Sequence, residues 1–168
     1  EQLFTINIFT EFVRHYLIVK TNKLVKKEDV YPTYKTFYAD NGFSSEEALA
    51  DLYKYAKFYD ALLNGTSESA EFNKIINHIN IMDKKVVYPY FMKLIGMESS
   101  GDITWSKINE VGYIIENLLY RRMICGIPSN GLNRIVVSLT NRVEGNDEFK
   151  NLQKRLLNSN FPDDKEFK

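Results

Sequence analysis

Side chains able to recognise a partner crowd into one stretch, RRMICGIPSNGLNRI, residues 121–135. It holds Arg121, Arg122 and Arg134, the amides of Asn130 and Asn133, and the one cysteine of the chain, Cys125. A guanidinium presents a planar fork of donors that matches phosphate or carboxylate. Gly126 and Pro128 end one helical pattern, and the helix that follows offers unpaired backbone N–H groups at its start, a second resource for an anion. The five residues Arg121, Arg122, Asn130, Asn133 and Arg134 are therefore candidate contacts to DNA or to another domain. An architectural reading uses the same residues: Arg122 bonds the carbonyls that end its own helix, and Asn130 or Ser129 caps the next. The two readings are compatible, because a rigid corner also presents a surface.

Other chemistry is poorly supplied. The two histidines, His15 and His78, have no second His or Cys at metal-ligand spacing. No GxGxxG, Walker A loop or GxSxG occurs. Two arginines upstream of Cys125 would favour its thiolate, but no histidine lies near it in sequence; a cysteine packed beside a turn is the simpler reading. Glu46 and Glu47 are explained by a helix start. No catalytic residue, metal or cofactor is expected within this chain.

Net charge is zero, so no global field draws the chain to nucleic acid. Two windows lack acids. Phe12 to Lys27 carries Arg14, Lys20, Lys23, Lys26 and Lys27, and Asn117 to Val143 carries Arg121, Arg122, Arg134 and Arg142. Each is either a solvated surface or part of a basic face, and Arg14 and Lys20 join the candidate contacts on the second view. One cysteine excludes an internal disulfide and fits a reducing cytoplasm. No apolar run reaches the roughly 18 residues of a membrane span. A cytoplasmic protein with no membrane partner is expected.

The elements that must position these residues are helical. At 168 residues with 44% hydrophobic and 14% aromatic content, one well-packed domain is the simplest organisation. The face Phe9, Phe12, Val13, Tyr16, Leu17 marks a first helix. Asp29 is placed to cap a second, which Asn41-Gly42 ends. Ser44 and Glu47 have capping-box spacing and open a third helix, with the stripe Leu49, Leu52, Tyr53, Ala56, Tyr59, Leu62, Leu63. Phe72, Ile75, Ile76 and Ile79 define a fourth. In DKKVVYPYFMKLIGM, Val86 to Tyr88 could be a short strand, but a helix after Pro89 is favoured. Thr104 is placed to cap a helix whose stripe runs Trp105, Ile108, Val111, Ile115, Leu118, Leu119 and Arg122. GLNRIVVSLTNRV and NDEFKNLQKRLLNSN follow as helices, and FPDDKEFK reads as a turn with an incipient helix. The sum is an all-α, bundle-like domain of about eight helices.

The stretch YRRMICGIPSNGLNRIVVSL resembles the RR-x-x-CG-x-P-T-N-x-LN-K signature in the helical region of GmrSD-type proteins, large bacterial proteins of the type IV, modification-dependent restriction class and related phage-defence systems. FTEFVRHYLIVKTNKLVKKEDVYPTYKTFY, ADLYKYAKFYDALLN and KKVVYPYFMKLI are similar to other parts of that region, in the same order. FPDDKEFK is similar to the FP-x-D-x-EF segment before the family's nuclease domain. Ser129 stands for the signature's Thr, and Arg134 for its Lys. The resemblance implies a ParB-like nucleotide-hydrolysing domain before this chain and an HNH nuclease after it. Residues 79–168 contain no histidine, which an HNH nuclease needs, and the glutamine-arginine nucleotide motif is missing, so no catalytic residue carries over. Arg121, Arg122, Cys125, Gly126, Pro128, Asn130, Leu132 and Asn133 carry over as motif positions without a role.

The chain begins at Glu1 and ends within FPDDKEFK, and residues 1–168 are expected to be one helical connecting domain of a longer protein. Its expected function is a non-catalytic scaffold that couples the nucleotide-hydrolysing domain to the nuclease, its partners being those flanking domains and, through the basic windows, DNA backbone. The alternative is a free-standing helical module that binds a protein or DNA.

Overall fold

The computed structural model describes residues 2–129, 131–141, 143, 148–157, 162, 164 and 166. Among these, eight α-helices and no strand are present: α1 (Gln2–Thr21), α2 (Val30–Asn41), α3 (Ser45–Asn64), α4 (Ala70–Ile81), α5 (Tyr88–Glu98), α6 (Trp105–Ile124), α7 (Leu132–Thr140) and α8 (Glu148–Leu157). Two single 3-10 turns, Lys27–Asp29 and Lys85–Val87, lead into α2 and α5. Val86 to Tyr88 thus enters a helix through a tight turn and forms no strand. Pro89 sits in the first turn of α5, where its missing N–H costs no hydrogen bond.

Helix α5 is the centre. Residues 88–92 and 94–96 are all buried, as a helix apolar on every side must be. It packs against α1, α3, α6 and α7, while α4 pairs with α6, α1 with α2, and α6 with α8. Buried apolar residues from Phe12 in α1 to Leu156 in α8 join one contiguous cluster.

Local signals set most boundaries. Ser44 and Glu47 close a reciprocal capping box at the start of α3. Ser69 and Thr104 accept from the N–H groups of Phe72 and Lys107 to cap α4 and α6. Gly65 stops α3 in the left-handed region at φ 62°, with Thr66 N–H returning to Ala61 O. That conformation is nearly free of strain for glycine alone. Asp29 makes no side-chain cap; the 3-10 turn that contains it supplies the entry to α2.

Two apolar faces depart from the sequence stripes. On α3, Leu49 and Tyr53 are 67% and 62% exposed, and the inward face is Ala48, Leu52, Tyr55, Ala56, Tyr59, Leu62 and Leu63. Tyr55 is drawn inward because its ring packs edge-on to Tyr16 and Phe58. On α1, Phe9 is 58% exposed, while His15, Ile18 and Val19 join Phe12, Val13, Tyr16 and Leu17 inside. From residue 12 onward α1 is enclosed by α2, α3 and α5, so one stripe cannot describe it.

Gly112 lets α6 lie close on α4. A Cβ there would stand 3.1 Å from Ile75 Cδ1 and 3.3 Å from its Cγ2. Gly112→Val should destabilise the chain by about 1–3 kcal/mol through overpacking. Chemical denaturation of Gly112→Val, Ile75→Ala and the double variant should give a double cost smaller than the sum by at least about 0.5 kcal/mol; strict additivity would show that the close approach is not what glycine serves.

Candidate functional site

The 121–135 stretch forms a corner between α6 and α7. Helix α6 ends with Gly126 N–H on Met123 O and Ile127 N–H on Arg122 O, and Gly126 has φ 63°. This double closure needs a left-handed residue, which Gly126 supplies. Gly131, at φ 92°, stands before α7 with no side-chain cap. Ser129 contributes its carbonyl to Leu132 N–H, but its hydroxyl accepts from Lys84 Nζ at 3.0 Å. It therefore ties the corner to the turn before α5 instead of capping α7. Asn130 and Arg142 lie outside the described residues.

The arginines of the stretch take different roles. Arg122 is 6% exposed and its Nη2 donates to Pro128 O at 2.9 Å. It thus bonds the loop carbonyl beyond the turn and not a carbonyl of its own helix, pinning the corner from inside. Arg121 reaches the other way: its Nε donates to Asn117 Oδ1 at 2.9 Å and its Nη1 to Pro162 O at 3.2 Å, and it pairs with Asp164 Oδ1 at 2.7 Å. Cys125 Sγ lies 3.4 Å from Glu166 O. Arg121 and Cys125 together hold Pro162, Asp164 and Glu166 against the end of α6. Asn133 and Arg134 are exposed on the first turn of α7.

The corner faces α1 across a cleft of about 260 Å³ that reaches Arg14, His15, Lys84, Lys85, Ser129 and Asn133. Arg14 and Asn133, distant in sequence, meet here. Arg14 donates to Glu11 Oε2 from Nε at 3.0 Å and Nη2 at 2.7 Å, and its Nη2 lies 3.1 Å from His15 Nε2. An arginine only donates, so His15 Nε2 carries the lone pair and Nδ1 the proton. Nδ1 is buried with no hydrogen-bond partner, and the ring packs on Tyr59 and Tyr88. Burial first, then the Arg14 charge, lowers the His15 pKa to about 3. Lysines 84 and 85 had no place among the sequence candidates; their signal was a KK pair just before a buried helix, which composition alone cannot distinguish from any surface pair.

Lys20 does not reach this cleft. Its Nζ pairs with Asp51 Oδ1 at 2.8 Å and sits 4.4 Å from the centre of the Tyr55 ring. The same carboxylate accepts from Tyr16 Oη at 2.6 Å. His78 is on the surface, paired with Glu116. Among the described residues no three His, Cys, Asp or Glu side chains gather as a metal site. No described helix is long and apolar enough to cross a membrane. No family model, curated protein or solved structure matches this chain.

Two outcomes test this geometry. His15 stays neutral when folded but takes a proton near its ordinary value when unfolded, so the unfolded state binds more protons between about pH 6.5 and 3. Its contribution is complete above that window and is lost as pH falls through it, by about 1.4 kcal/mol per unit. Urea titrations at pH 7, 6 and 5 should show a shallower loss for His15→Gln than for wild type; parallel curves would contradict a buried neutral imidazole. Arg122→Ala, which leaves Pro128 O without its donor, should cost about 1–3 kcal/mol. Arg121→Ala should instead leave global stability within about 0.5 kcal/mol and speed amide exchange in the peptide that carries Asp164 and Glu166, as read by hydrogen-exchange mass spectrometry.

Proposed function

We propose that the chain is a non-catalytic helical connecting module of a GmrSD-like restriction protein, placed between a nucleotide-hydrolysing domain and an HNH nuclease. The observation that supports this most is the Arg121 clamp. The RR-x-x-CG stretch, the most family-like segment of the chain, bonds the stretch similar to FP-x-D-x-EF through Arg121–Asp164, Arg121–Pro162 and Cys125–Glu166. In the resembled architecture the second segment leads into the nuclease. A guanidinium that fastens that segment to α6 would hold the nuclease in fixed relation to the helical body, and a shift in the body would be passed on through it.

The clamp is tested in the full-length gene product. Arg121→Ala should uncouple the two activities: nucleotide hydrolysis persists while nucleotide-dependent DNA cleavage falls. Cleavage and nucleotide response that both stay at the wild-type level, with the fold intact, would remove the arginine from any functional role. The reading frame around this chain supplies a cheaper check, since the proposal needs an HNH histidine set downstream.

A free-standing protein-binding module is the second reading, and one surface favours it. An apolar groove of about 510 Å³ runs between α4 and α6, lined by Ile81, Met82, Tyr113, Tyr120 and Met123. Ile81 is 82% exposed, and such grooves commonly dock partners. Start and stop codons immediately flanking residues 1–168 would favour this reading over the connector.

A further inference from the structure

We propose that the cleft between α1, the Lys85–Val87 turn and the start of α7 binds a single phosphodiester-like anion through Lys84, Lys85, Ser129 and Asn133. The charges facing the cleft are Glu11, Arg14, Asp83, Lys84 and Lys85. Glu11 is already engaged, holding Arg14 in two hydrogen bonds and standing 3.6 Å from Lys27 Nζ. The ion pairs among the described residues involve neither Lys84 nor Lys85. With Arg14 balanced by Glu11, what remains is two ammoniums against Asp83, an excess of one positive charge. That excess matches the single negative charge of a phosphodiester.

The donor inventory agrees. An ammonium has three donors; Lys84 directs one to Ser129 Oγ and keeps two. That hydroxyl accepts from Lys84, which leaves its own proton for a ligand. Asn133 is exposed on the first turn of α7, the end at which helix dipoles favour anions. The back wall is rigid, because Glu11, Arg14 and buried His15 fix one another. The volume, about 260 Å³, falls below the roughly 300 Å³ at which pockets begin to enclose drug-sized ligands. A phosphate group fits with the rest of its molecule outside.

This site is separate from the Arg121 clamp, so either assignment stands if the other fails. Amide NMR of the 168-residue chain, titrated with inorganic phosphate against chloride at equal ionic strength, locates it. Saturating shifts should cluster at residues 83–86 and 129–133. Lys84→Glu/Lys85→Glu should abolish them, and Lys54→Glu/Lys57→Glu, the same charge change on the exposed face of α3, should retain them. Shifts that are absent, or equally reduced in both variants, overturn the proposal. Fluorescence anisotropy with duplex DNA then assigns the source. If the anion is a nucleic-acid backbone, the slope of log affinity against log salt drops by about one per lysine replaced. Localised phosphate shifts without duplex binding assign the cleft to a small phosphate ester.

Discussion

A helix buried on every side must bring partners to each of its polar atoms, and α5 imposes that demand on the whole chain. Its first residue, Tyr88, is fully buried, and the phenol is held neutral by burial, which pushes its pKa up. The hydroxyl lies 3.1 Å from Leu62 O and 2.5 Å from Asn80 Oδ1. Asn80 in turn donates to Leu62 O and Leu63 O, the carbonyls that end α3. One hydroxyl and one amide therefore fix where α3 ends, where α4 ends and where α5 begins. An unmet hydroxyl at that depth would cost about 1–3 kcal/mol, so the three ends cannot drift independently.

The same packing decides which cations remain available. Both acid-free windows look basic along the chain, yet acids reach them, from just before the first window at Glu11 and from elsewhere in the fold at Asp51 and Asp164. Asp51 of α3 covers Lys20, Glu11 holds Arg14, and Asp164 meets Arg121. Arg122 turns inward to Pro128. The positive charge left at the corner comes from Lys84 and Lys85, outside either window, and from Arg134. The corner is fastened on three sides, by Arg122 from within, by Arg121 toward Pro162 and Asp164, and by Lys84 toward Ser129.

The sequence and the structure agree where the signal is local and part company where it is not. The capping box at Ser44, the cap at Thr104, the stop at Gly126, and the stripes of α4 and α6 all follow from residues within one or two turns of each other. Arg122 continues the α6 stripe in sequence, but only the fold shows that it is buried. Leu49, Tyr53 and Phe9 were misplaced because hydrophobicity alone ranks them with core residues. Which side of α3 faces inward follows from contacts with other helices, such as the Tyr55 ring packed edge-on to Tyr16 of α1.

The amino-acid order by itself determined that the chain is all-helical and where most of its helices start and stop, because capping, left-handed glycines and apolar periodicity act over a few residues. Tertiary structure alone decided which charges are neutralised and which converge. Arg14 takes Glu11 from the preceding turn of its own helix, but Lys20 meets Asp51 of α3 and Arg121 meets Asp164, partners that only the fold brings near. Coulombic pairing and burial depend on distance in space, which the order of residues along the chain does not encode.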